Sequence, residues 1–205
     1  MTTIATDSLM TGTTTELTAH SANWAYAKTN PNSTPAGTGI QVGVNGASSN
    51  ATGTSYSQGG VAYWTGGTFP ADQWAQVVAG PIPTNISAGM ALILRALPAN
   101  GGSWLAVEIR WNGSALLWGS SAGGTVAAPV SGTSSVLGQT WAQGDVFRME
   151  LHGSTISLLR APAATPGSFT TLFTPGAWNA TGNAILALGG GRPGIGAFQP
   201  SGTLN

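Results

Sequence analysis

Charge is what this chain has least of. Of 205 residues, six are Lys or Arg and six are Asp or Glu, so 6% are charged and the formal net charge is zero. An ordinary soluble domain carries about 25%. Six scattered cations cannot build the clustered basic face through which nucleic-acid binders release counterions. Nor can they build a polybasic patch for an anionic membrane surface. Charge-driven disorder is excluded as well, because 41% of the residues are hydrophobic. Cysteine is absent, which removes disulfides, thiolate zinc sites and a Cys nucleophile, and leaves the redox compartment unread. Residues 1–17 have neither a basic n-region nor an apolar h-region, so no signal peptide is expected. The longest apolar runs, such as 90–94, fall far short of the ~20 residues that span a bilayer. The expectation is a soluble protein made in a cytoplasm, which reaches any other place by release or assembly.

What fills the chain instead is Thr, Ser, Asn, Gln and Gly, with 31 glycines and 12 prolines spread throughout. No long window shows an apolar period of 3.6. Short β-type runs recur, punctuated by Gly, Pro and Asn. They predict strands at 24–27, 40–44, 61–65, 73–79, 90–97, 104–111, 115–120, 146–151, 155–160, 170–173, 185–188 and 194–198. Their close spacing implies an all-β, two-sheet antiparallel sandwich or jelly roll rather than βαβ units. Gly/Ser/Thr/Ala-rich loops at 30–39, 46–60 and 120–138 lack the character of an interdomain linker, so residues 1–205 are read as one domain.

Two hairpins are well signalled. Asn112-Gly113-Ser114 joins 104–111 to 115–120, and His152-Gly153-Ser154 joins 146–151 to 155–160. Strand alternation then sorts the faces. Leu105, Val107, Ile109 and Trp111 oppose Trp104, Ala106, Glu108 and Arg110. Phe147, Met149 and Leu151 oppose Arg148, Glu150 and His152. Met90, Leu92 and Leu94 oppose Ala91, Ile93 and Arg95.

Chemistry is sparse. Glycosidase catalysis needs two carboxylates projecting from one surface, about 5–9.5 Å apart. Among the acids, only Glu108 and Glu150 sit mid-strand, on what is expected to be a shared face beside Arg95, Arg110 and Arg148. That grouping predicts a neutralised cross-strand ion-pair face, with nothing to raise either carboxyl as a general acid requires. His20 is expected in an N-terminal turn and His152 at a hairpin tip; no catalytic residue is assigned. Scattered acids predict no metal site, and no cofactor is expected. Gly189-Gly190-Gly191-Arg192-Pro193-Gly194 lacks the Lys-Ser/Thr of a phosphate loop and precedes a strand, so a turn is expected. Most of the eight tryptophans are expected in cores or interfaces. Trp104, by parity, and then Trp74 are the candidates for stacking a glycan.

Four stretches together resemble one family. Asp7-Ser8-Leu9, followed by Glu16-Leu17-Thr18-Ala19-His20 and Asn23-Trp24, resembles the opening of concanavalin A-like lectin/glucanase (laminin-G-like) jelly rolls. Asp72-Gln73-Trp74-Ala75-Gln76-Val77 resembles their Asp-Gln-aromatic strand. Gly144-Asp145-Val146-Phe147-Arg148-Met149-Glu150 is similar to their Gly-Asp hairpin, and Gly191-Arg192-Pro193-Gly194-Ile195-Gly196 to their closing strand. The resemblance implies a two-sheet antiparallel jelly roll, a fold used by lectins, glycosidases, adhesion modules and phage virion proteins. The Glu-x-Asp-x-x-Glu motif of the glucanases is missing, and the lectin calcium and manganese ligands are unmatched, so neither role carries over.

The expected function is therefore a non-enzymatic phage virion structural protein. A capsid decoration (cement) subunit on the outside of the shell is favoured, as a homo-oligomer taken to be a trimer. Its partner would be the major capsid protein or another virion protein. The alternatives are a carbohydrate-binding module, or a tail or baseplate appendage for host-surface recognition. A charge-poor exterior suits packing against protein neighbours, whereas net charge near zero is otherwise a solubility liability.

Overall fold

A computed structural model describes residues 5–28, 39–49, 60–82, 89–97, 103–120, 135–136, 138–174 and 177–198. Its elements in chain order are β1 (Thr15–Glu16), α1 (Leu17–His20), β2 (Trp24–Lys28), β3 (Ile40–Gly43), β4 (Gly46–Ser49), β5 (Gly60–Trp64), β6 (Gln73–Val78) and β7 (Gly89–Leu97). There follow β8 (Ser103–Arg110), β9 (Ser114–Ser120), β10 (Ser135–Val136), β11 (Val146–His152), β12 (Thr155–Ala161), β13 (Thr170–Phe173), α2 (Ala180–Ala187) and β14 (Arg192–Phe198).

Among the described residues the strands form antiparallel sheets, as expected, but three rather than two. The largest has the order β10-β9-β8-β7-β14-β5-β2, the second β13-β12-β11-β6, and a small third β1-β3-β4. The last strand, β14, lies between β7 and β5, so the chain closes its largest sheet from the middle. Two polar stretches expected as loops supply strands: β4 pairs with β3, and β10 pairs with the edge of β9. Alternation was the cue for finding strands, and Gly46-Ala47-Ser48-Ser49 has no apolar alternation to read.

The inner faces of the two larger sheets meet in the principal core. Leu92, Leu94, Leu105, Val107, Ile109 and Leu117 come from one sheet; Phe147, Met149, Leu151, Ile156 and Leu158 come from the other. The face assignments of β7, β8 and β11 hold. Burying side chains of this size contributes about 1.5–3 kcal/mol each. The outer face of the large sheet carries a second cluster, which includes Val61, Tyr63, Ala91, Ile93, Trp104 and Ala106. Strands β7 and β8 are thus buried on both sides, and β8 is buried from Ser103 to Ile109 before it emerges at Arg110.

The strand expected at 185–188 is instead part of α2. Asn179 caps this helix, its side chain accepting from Gly182 N at 3.0 Å. Ile185 is buried in the principal core and Leu186 packs against it, and with Gly182 buried three residues before Ile185, the inward side follows the turn of a helix rather than the alternation of a strand.

Candidate binding site

The construction of the site begins at a kink. Strand β7 loses regular register with β8 between Leu94 and Leu97, and β14 loses it with β7 between Arg192 and Gly194. At that irregularity Arg95 adopts φ +58°, the one non-glycine left-handed residue among those described. A left-handed backbone is disfavoured for any L residue that carries a Cβ and persists only where surroundings enforce it. Here the enforcing contact is Gly191. A Cβ built there would lie 2.6 Å from Arg95 Cα, so no side chain fits between the turn and the bulge. Gly189, Gly190 and Gly191 all have positive φ (60°, 62° and 93°), which lets the chain turn sharply out of α2 into β14.

Gln73 ties three segments together from a buried position. Its Nε2 donates to Pro70 O at 2.9 Å and to Gly191 O at 3.3 Å, and its Oε1 accepts from Arg95 N at 3.1 Å. The loop before β6, the bulge of β7 and the glycine turn before β14 are therefore fixed against one another. Arg95 is itself buried, donates from Nη1 to Gly190 O at 3.3 Å, and leaves its Nε without a partner among the described residues. Burial lowers its pKa from the ordinary guanidinium value, while the nearby Asp72 carboxylate opposes the shift.

Between these tied segments opens a cleft of about 620 Å³, lined among others by Tyr63, Thr68, Phe69, Leu97, Gly190 and Arg192. That volume lies within the range of small-ligand sites. Arg192 donates from Nη1 to Thr65 O at 3.2 Å, and its guanidinium sits 5.8 Å from the Tyr63 ring centroid. The cleft thus combines two aromatic side chains, a hydroxyl, turn backbone and a single lining cation.

The residues singled out from sequence fall elsewhere. Trp104 occupies the expected outer face, but it is fully buried in the second cluster. It offers no surface to a sugar: alternation tells which face a side chain takes, not whether that face meets solvent. Trp74 does lie on the outer side of the four-stranded sheet, half-buried. Its ring is already stacked by Arg148, whose guanidinium carbon is 4.9 Å from the Trp74 centroid and 3.9 Å from that of Phe169.

The expected shared ion-pair face does not form. Glu108 lies outside the large sheet and Glu150 outside the four-stranded one, with the principal core between them. The pairs run along single strands instead of across them. Arg110 Nε meets Glu108 Oε1 at 3.2 Å, and Arg148 Nη1 meets Glu150 Oε1 at 3.4 Å. Arg95 belongs to neither. Glu108 also accepts from Trp118 Nε1 at 2.6 Å. Burial raises its pKa, against the lowering effects of Arg110 and Trp118. The separation arises because β8 and β11, both amphipathic by parity, turn their charged sides in opposite directions once their apolar sides meet.

The histidines sit at the ends of elements, as expected. His20 closes α1 and lies 2.9 Å from Asp7 Oδ1, while Trp24 Nε1 donates to the other oxygen of Asp7. His152, at the β11–β12 hairpin, lies 3.8 Å from Asp72 and 3.6 Å from Glu150. The sequence also holds Gly119-Ser120-Ser121-Ala122-Gly123, the Gly-x-Ser-x-Gly spacing of a hydrolase elbow. Its first two residues end the antiparallel strand β9, and the rest lies outside the described residues. Among the described residues no group of three or more His, Asp or Glu could hold a metal ion.

Sequence reasoning passed over Tyr63, Phe69 and Arg192 as a site. Arg192 was assigned only to a turn, and the signal that could have found it was the Gly-Gly-Gly run just before it. Comparison with protein-family models, with curated proteins and with solved structures found no match.

Proposed function

We propose that this chain is a non-enzymatic structural protein of a phage virion, a decoration subunit seated on the outside of the capsid shell. We further propose that its facing sheets are those of a concanavalin A-like jelly roll and that it acts as a homo-oligomer, a trimer by preference.

The observation that carries this reading is where the charge goes. Apart from Lys28, whose side chain lies outside the described residues, every charged side chain is engaged within the chain. Asp145 binds Arg160 at 2.7 Å and accepts from the backbone of Ala142 and Ala163. Asp72 accepts from Gly153 N at 2.7 Å. Arg148 donates to Gln76 at 2.7 and 2.9 Å. Glu16 receives Tyr26 Oη at 3.4 Å. Asp7, Arg95, Glu108, Arg110, Glu150 and Arg192 are held as described above. Among the described residues, the exposed groups that remain include isolated apolar side chains, such as Val78 at 59% exposure.

A surface of that kind favours neutral protein neighbours, because interface cores deplete free charge and are enriched in aromatic residues and Arg. The outer side of the four-stranded sheet, with Arg148 held between Trp74 and Phe169, fits this description and is the attachment face in this reading. With the core between them, Glu108 and Glu150, the carboxylates singled out from the sequence, do not flank a common surface as glycoside hydrolysis by that pair would require.

The test is sedimentation of purified protein with undecorated shells. Saturable co-sedimentation that weakens about tenfold or more in the double variant Trp74→Ala, Phe169→Ala is expected, since buried aromatic anchors dominate interface energies. A monomer that stays in the supernatant at every concentration would refute the assignment. The alternative, a carbohydrate-binding tail or baseplate appendage, draws its support from the open cleft and not from Trp104 or Trp74.

A further inference from the structure

We propose that the cleft between Tyr63, Phe69 and Arg192 binds a carboxylated sugar residue of a glycan, with Arg192 taking the carboxylate and the aromatic side chains taking the apolar face of the ring. This goes beyond shell attachment, which uses a different sheet, and it stands whether or not the chain is a decoration subunit.

The lining selects the ligand class. Among the described residues that line it, the one charged side chain is Arg192, and a planar guanidinium matches a carboxylate in two-point geometry. A single lining cation suits a monoanion; a nucleotide or polyphosphate would bring more negative charge than the wall can meet. Arg95, behind the glycine turn, adds a second positive charge that Asp72 partly offsets. A purely apolar acid is disfavoured, because Thr68 and the turn backbone at Gly190 interrupt the apolar wall. Alternating apolar and hydrogen-bonding groups is what a sugar requires, one face being C–H and the rim hydroxyl.

The site is also built in advance. The Gln73 ties, the left-handed Arg95 and the Gly191 contact hold the walls without a ligand. Strained backbone and bulges concentrate at ligand sites for this reason, and a preformed cleft loses less entropy on binding.

The experiment is calorimetric titration of the full chain with a glucuronate-terminated oligosaccharide, its neutral glucose counterpart, its sulfated counterpart and octanoate. Glucuronate is expected to bind about tenfold or more tighter than the neutral sugar, and Arg192→Gln to erase that preference while keeping the weaker neutral binding. Phe69→Ala, at a half-buried loop position, is expected to weaken both sugars about fivefold or more with the melting temperature unchanged. It keeps the test decisive should Arg192→Gln fail to fold. Equal affinity for acid and neutral sugars, tighter binding of the sulfated sugar or of octanoate, no binding of any probe, or an unaltered Phe69→Ala would each overturn the proposal.

Discussion

Gly194 illustrates how a single atom is excluded. It sits in β14 between β5 and β7, and a Cβ there would lie 2.0 Å from Ala62 O. Overpacking of this kind usually costs about 1–3 kcal/mol, and a clash with fixed central-strand backbone belongs at or above the top of that range. Gly194→Ala is expected to lose about 3 kcal/mol or more in urea unfolding; a loss under ~1 kcal/mol would mean the strand yields. Tyr26 is a second residue-scale case. Burial first, then the Glu16 carboxylate, push its phenol up to about 12, against the lowering effect of its hydrogen bond to the Ile40 backbone. A raised phenol disfavours the deprotonated folded form, so its contribution is intact below pH 10 and is lost as pH rises from about 10 towards 12. Tyr26→Phe should flatten stability across that alkaline window. Glu108 follows the same sign for the same reason. Its raised carboxyl makes stability decline as pH climbs from the unfolded value near 4.3, and Glu108→Gln should remove that part of the slope.

At the scale of elements, the loops and ends are tied by side chains that the motifs contain. Asp7 joins α1 to β2 through His20 and Trp24, and Leu17 at the start of α1 is fully buried. Asp145 holds the turn before β11 to the end of β12. Asp72 reaches the tip of the β11–β12 hairpin. These acids were conspicuous in the sequence as motif residues, and within the chain they act as clamps. Helix α2 depends on its cap. Asn179→Ala is expected to cost about 1 kcal/mol and to loosen the packing of Ile185, which amide exchange of α2 would report as faster opening. Unchanged exchange would mean that core packing alone holds the helix.

At the scale of the whole molecule, internal consumption of charge predicts how it associates. Partners that meet a neutral surface feel little screening, so raising salt from about 0.05 to about 0.5 M should leave shell binding within about twofold. A fall of tenfold or more would show that attachment runs through ionic contacts. Glycan binding through Arg192 should respond to salt more than shell binding does, which separates the two surfaces in one series of measurements.

Most strands of the two larger sheets, and the core-facing side of β7, β8 and β11, were legible in the order of residues, because alternation and turn chemistry are local properties. The polar strands β4 and β10 and the helix α2 were not, since nothing in their composition competes with the loop or strand pattern until neighbours are in place. Trp104 and the Glu108–Glu150 pairing failed for a related reason: parity is local, but solvent access and which sheet a strand joins are set by packing across the core. The cleft lies wholly in that second category. Tyr63 and Arg192, which line it, and Gln73 and Arg95, which hold it from behind, come from separate strands, and the placement of β14 between β5 and β7 brings them together.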